Sequence, residues 1–141
     1  MYGDTTVIRA HARRMRERGD DIREQAEALL GNAESVPWMG AAADAMRELA
    51  RQHAAGLRAC AGLHEDAATA LERHAREVDR VKDLIASIEH RVLGIVESAT
   101  SRVVSLVDHL VPDAFDDWVK DFKPPAHGSL AWLEVSVPRS A

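Results

Sequence analysis

A single cysteine, Cys60, stands in a chain of 141 residues, so no intrachain disulfide can form and thiolates cannot build a zinc site. Aromatic side chains amount to 4%, against a background rich in alanine, leucine, arginine and glutamate. That is the composition of long helices rather than of sheets. Basic excess is missing too: a net charge of -5 and a pI near 5.8 leave no field suited to nucleic acid. The opening stretch "MYGDTTVIRAHARRMRERGDD" has no apolar core of the kind a cleavable secretory signal needs, and no run of about 18 apolar residues is present to span a membrane. Neither a glycine-rich phosphate cradle nor a Gly-X-Ser-X-Gly elbow occurs.

Histidines are present, but not in metal-binding patterns. His11, His53, His64, His74, His90, His109 and His127 include no pair four apart, and none has a glutamate three residues before it. No catalytic residue, metal or cofactor is therefore expected, and the chain reads as non-enzymatic. The cluster Arg9, Arg13, Arg14, Arg16 and Arg18 is followed at once by Asp20, Asp21, Glu24 and Glu27, which cancel its field. It reads as a solvated, partner-orienting face, and no nucleic acid is expected.

What the chain does contain is helical rhythm. Ile8, Ala12, Met15, Gly19, Ile22, Ala26 and Leu29 recur in steps of four and three, an apolar seam in which large and small residues alternate. Asp4, Thr5 or Thr6 can cap this helix, and Gly31 with Asn32 can end it. Pro37 suits the opening turn of a second helix. There, Ala42, Met46, Leu49, His53, Gly56, Cys60, Leu63, Ala67, Leu71, His74, Val78, Val81, Ile85 and Ile88 keep the same rhythm, with two successive steps of four around Ala67. Such a double step predicts a stutter, where a seam straightens or a helix bends. One helix from Pro37 to Val111 would be about 110 Å long, so a break near Gly62 is expected. Cys60 on this seam reads as a small buried hydrophobe, with an intermolecular disulfide as the alternative.

A short connection between the two seams predicts an antiparallel fold-back centred near Val36, with the arginine group beside Glu65, Asp66 and Glu72. His53 and His74 fall on the seam. They read as hydrogen-bonded core imidazoles or as a pH-sensitive pair whose charging below about pH 6 loosens the bundle or its partner. The segment 84–111 has apolar residues on more than one face and is expected to pack on the hairpin or on another chain, with a membrane-surface helix as the lesser alternative. Beyond Pro112, "DAFDDWVKDF" is one more short helix, "KPPAHGS" stops it, and "LAWLEVSVPRSA" reads as a frayed tail, with an extended segment added to a partner as the lesser alternative.

Between the seams lies "VPWMGAAADAM". Trp38, Met39 and Gly40, followed by Ala42, Ala43, Ala45 and Met46, resemble the turn of the Trp-X-Gly family, small helical-hairpin proteins exported by the type VII (ESX) secretion systems of Gram-positive bacteria. The resemblance covers about residues 5–90. It implies an all-α fold, an antiparallel hairpin with a Trp-X-Gly turn extended by a third helical segment, which is half of a four-helix bundle. The corresponding layout is a hairpin over 1–83 (helix one about 5–31, turn 32–38, helix two from about 39), an added helix over 84–111, and a short helix with irregular tail over 112–141.

The resemblance also implies a role in type VII secretion, pairing with another hairpin as a homo- or heterodimer, or serving a larger secreted effector. The protein would then leave the cell without a cleavable signal. In this reading Trp38, Gly40, Ala42 and Met46 dock the partner, and Ile8, Met15, Ile22, Leu29, Leu49, Leu63, Leu71 and Val78 form the helix seam. The family's export signal, a Tyr three residues before an Asp or Glu following the second helix, has no counterpart, since the only tyrosine is Tyr2. A partner would have to supply it, or the protein would stay in the cytoplasm as an effector chaperone or a homo-oligomeric scaffold.

Overall fold

The computed structural model describes residues 3–105 and 114–139, and every regular element among them is helical. Helix α1 spans Thr5–Ser35, α2 spans Ala41–Ser105, α3 spans Ala114–Asp121, and a 3-10 turn covers Leu130–Glu134. The chain divides into two compact units, residues 4–76 and residues 77–139 with Gly3. The last residues of the expected 84–111 segment, and Tyr2, lie outside the described residues.

Asp4 caps α1 by accepting a 2.9 Å hydrogen bond from the Thr6 N–H. The helix does not end at Gly31 but continues to Ser35. It stops where Val36, preceding Pro37, takes an extended conformation. Pro37 accordingly sits in the connection rather than in the first turn of α2, which opens at Ala41 with Asp44 N–H bonded to Gly40 O at 3.0 Å.

Within residues 4–76, α1 runs antiparallel to the first half of α2. Arg16 pairs with Glu72 at 2.8 Å, Arg23 with Glu65, Glu27 with Arg58, and Glu34 with Arg51 at 3.5 Å. Of the arginine group Arg16 meets one of the acids expected for it, Glu72, and the pairings place the centre of the fold-back later than Val36. Arg14 instead contacts the ring of His11.

The buried line of α1 is Thr5, Ala12, Gly19 and Ala26, flanked by half-buried Ile8, Met15, Ile22 and Leu29. Its partner line on α2 is Ala43, Ala50, Ala54, Ala61, Ala68 and Ala75. The expected seam of α2 is therefore corrected by one residue. Small side chains at the centre let the backbones approach closely: a Cβ built on Gly19 would lie 3.3 Å from Ala61 O. Longer side chains at the expected positions would hold the helices apart, so Leu49 and Leu63 are left exposed.

The correction removes the stutter as well. Counted with Ala54, Ala61, Ala68 and Ala75 as heptad position a, the residues Val78, Ile85, Val92 and Ala99 fall on d, and the frame runs on without interruption. Consistent with this, α2 continues unbroken through Gly62 and past Leu84.

In the other unit, Ile85, Val92 and Trp132 form the core, with Val81, Ile88, Val96, Trp118, Phe122, Val135 and Val137 packed around them. The expected frayed tail is thus docked. Trp132 is only 1% exposed, and its indole N–H donates to Ala126 O at 3.1 Å. An aromatic chain of Phe115, Trp118, Phe122 and Trp132, with centroids 6.2, 4.8 and 6.3 Å apart in turn, ties α3 to the 3-10 turn. Glu89 receives the backbone N–H of Gly128 at 3.3 Å and lies 2.8 Å from His127 Nδ1, contacts that hold its carboxyl below the usual range, the His127 hydrogen bond first among them.

Candidate functional site

The two faces of the α1–α2 pair in residues 4–76 differ in chemistry. The ion pairs Arg16–Glu72, Arg23–Glu65, Glu27–Arg58 and Glu34–Arg51 all flank the alanine line on the same side. With 3.6 residues per turn, the opposite flank of α1 carries Ile8, Met15, Ile22 and Leu29. That of α2 carries Met46, His53, Cys60, Ala67 and His74, and beyond them Ala42, Leu49, Gly56, Leu63 and Ala70.

These α2 residues are heptad positions g and c. They form a second apolar seam beside the buried a/d seam, and it is this second seam that the sequence periodicity had picked out. Leu49 is 54% and Leu63 69% exposed. Gly56 lies between them with nothing within 4 Å of where a Cβ would be, so the surface there is open enough for another backbone to approach.

The connection projects from the same unit. Trp38 is 65% and Met39 95% exposed. The indole therefore does not cover the end of its own helix pair; it stands free. Gly40 takes φ +109, a conformation that L side chains rarely adopt, and nothing lies within 4 Å of its Cβ position. Glycine is required there by the turn, not by a close contact with another helix of this chain.

Arg47 holds the connection in shape: its guanidinium donates to Val36 O at 2.9 Å and Trp38 O at 2.8 Å, and lies 3.6 Å from Asp44. Nothing in the sequence rhythm marks this clamp, since Arg47 occupies an inward a position where a long cation is not expected.

Among the predicted seam residues, Val78 is buried, Leu71 is half-buried, and Ala42, Leu49 and Leu63 are exposed. Met46 is half-buried on the apolar flank. His53 and His74 are exposed on that flank rather than buried, which removes the buried-imidazole switch as a device of the fold. Cys60 is half-buried, 3.9 Å from His64 Nδ1.

Among the described residues no group of three His, Cys, Asp or Glu side chains could hold a metal, and no helix is long and apolar enough to cross a membrane. No protein-family model, curated protein or solved structure matches the chain.

Proposed function

We propose that this is a non-enzymatic interaction protein of the Trp-X-Gly type, an antiparallel hairpin that forms half of a four-helix bundle and serves type VII secretion as a substrate or as the partner of a larger effector. The observation that carries the reading is the exposed c/g seam of α2, with Leu49 and Leu63 on it and Trp38 and Met39 standing free in the adjoining connection. Scattered exposed apolar residues are ordinary, whereas a heptad-spaced row of them beside a satisfied seam is a surface suited to another helix.

The charged face argues for which side the partner takes. Its carboxylates and guanidinia are already paired with one another, and stripping water from them would cost more than burying the apolar flank. A second hairpin laid on Ile8, Met15, Ile22 and Leu29 of α1 and on the g and c residues of α2 would complete a four-helix layer. Trp38, held in place by Arg47, supplies an aromatic anchor at one end.

The deciding experiment is to tag the protein in its own cell and compare culture medium with cell pellet, with and without the type VII motor ATPase. ATPase-dependent appearance in the medium is expected, with a hairpin partner supplying the tyrosine-based signal that this chain does not carry. Equal retention in the pellet of both strains would overturn export.

A further inference from the structure

The exposed c row of α2 reads the same in both directions. Ala42, Leu49, Gly56, Leu63 and Ala70 follow one another at heptad spacing, all of them exposed, with the leucines and then the alanines set symmetrically about Gly56. The row is bounded on both sides: α2 begins at Ala41, and the next c residue beyond Ala70 is Glu77, ion-paired with Arg80. A surface that meets its own copy across a two-fold axis has to be self-complementary, because residue i then touches j while j touches i. A different hairpin would set no such condition on the row.

We propose that the docking face of residues 4–76 takes a second copy of this chain, the two α2 helices lying antiparallel with the two-fold axis at Gly56. The proposal rests on the reading of the c/g seam as a docking face and adds its occupant and its register. Leu49 of each copy packs on Leu63 of the other, Ala42 on Ala70, and Gly56 on Gly56. Nothing lies within 4 Å of the Cβ position of Gly56, so the backbones can come closest there, and the leucines fill the wider gap where the crossing helices diverge. On the two rows that flank this one, beginning at Ala45 and Met46, the charged residue between 42 and 70 is Asp66. The axis sets it against Ala45, and His53 against Cys60, so these rows bring no like charges together. From Ala42 to Ala70 the shared length is about 42 Å, and a layer of two helices is about 20 Å wide. With α1 alongside from the level of Arg51 onward, the face offers on the order of 700 Å² per copy, within the roughly 600–1,000 Å² per partner of stable interfaces.

The test is sedimentation equilibrium of the full chain at micromolar concentration, followed by disulfide trapping of the register. The parent should sediment at twice its 15.5 kDa mass. With Cys60→Ser removing the native thiol, Gly56→Cys should oxidise to a covalent dimer, since the two sulfurs face each other across the axis. Leu63→Cys in the same background should not link, because its own counterpart lies about 21 Å away along the helix, whereas Leu49→Cys combined with Leu63→Cys should. Were Gly56→Cys to lose its helical content, the Leu49 and Leu63 pair, both exposed, would decide the register. A monomeric parent would overturn self-pairing while leaving the face open to a different hairpin. A dimer that links through Leu63→Cys alone, or through neither Gly56→Cys nor the leucine pair, would overturn the register. A dimer that persists in the variant carrying Leu49→Lys and Leu63→Lys would overturn both this pairing and the docking face it rests on.

Discussion

Gly19 sets the spacing of the α1–α2 pair. With Ala61 O only 3.3 Å from its Cβ position, any larger side chain must push a backbone rather than a flexible neighbour. Gly19→Leu is expected to lower unfolding free energy by about 1–3 kcal/mol through overpacking, measured by urea titration against the parent chain. Stability equal to the parent would mean that the alanine line is not the packed centre of this unit. Trp132 plays the corresponding part in the other unit. Trp132→Ala should cost about 3–5 kcal/mol as a buried aromatic truncation, measured by the same urea titration. At the connection, Trp38 is 65% exposed, so Trp38→Ala removes little packing within this chain. It should leave the melting curve in place yet weaken partner capture by about 2 kcal/mol or more.

Helix α2 shows how far periodicity carries and where it stops. Both seams repeat every seven residues, and both hold mainly apolar or small residues, with His53 and His74 on one and Arg47 on the other, so spacing by itself does not say which one faces inward. The row with the larger side chains, Leu49 and Leu63, looks like the core by hydrophobicity. The row that packs is the one with alanine at nearly every step, because close backbone approach outweighs the area that each leucine would bury.

In α1 no such ambiguity arises, since Arg, Glu and Asp occupy most other positions, and the periodic frame there coincides with the buried line. The 3-10 turn and its buried tryptophan were illegible for a different reason: "LAWLEVSV" alternates at Leu133, Val135 and Val137 as a short strand would, and its order comes from contacts with α2. Arg47 was equally hidden, as its hydrogen bonds go to backbone carbonyls that no side-chain pattern announces.

A prediction at this scale follows from the two seams. Leu49→Lys with Leu63→Lys should change stability by no more than about 0.5 kcal/mol per site, as exposed substitutions do, while abolishing association with a hairpin partner. Retained association would place the docking surface elsewhere. Ile22→Asp, on the α1 flank and half-buried, should destabilise the fold itself by setting an unpaired charge against the seam.

For the molecule as a whole, the carboxylates make a statement about pH. Glu65, Glu72 and Glu89 are held below the ordinary carboxylate range by hydrogen bonds from Arg23, Arg16 and His127 respectively. A depressed folded-state value means that the unfolded chain takes up protons first as pH falls. The stabilisation is complete above the unfolded value of about 4.3 and is lost as pH drops through the lowered folded values. The thermal midpoint should hold level from pH 7 to 5 as far as these groups decide it, then fall below about pH 4. Because Glu65 and Glu72 are more than a third exposed, their part of the decline should be shallow and weaken further in high salt. A rise in midpoint on acidification below pH 4 would contradict these pairings.

The placement of the indoles has an optical consequence. Trp38 is the only tryptophan of residues 4–76 and is largely hydrated, so it should emit at long wavelength; Trp132, sealed in the other unit beside Trp118, should emit at short wavelength. Replacing Trp38 by Phe would leave a spectrum that reports residues 77–139 alone. Melting followed by that blue component, compared with helix loss by circular dichroism, would reveal whether a chain joined by one continuous helix unfolds in a single step or in two.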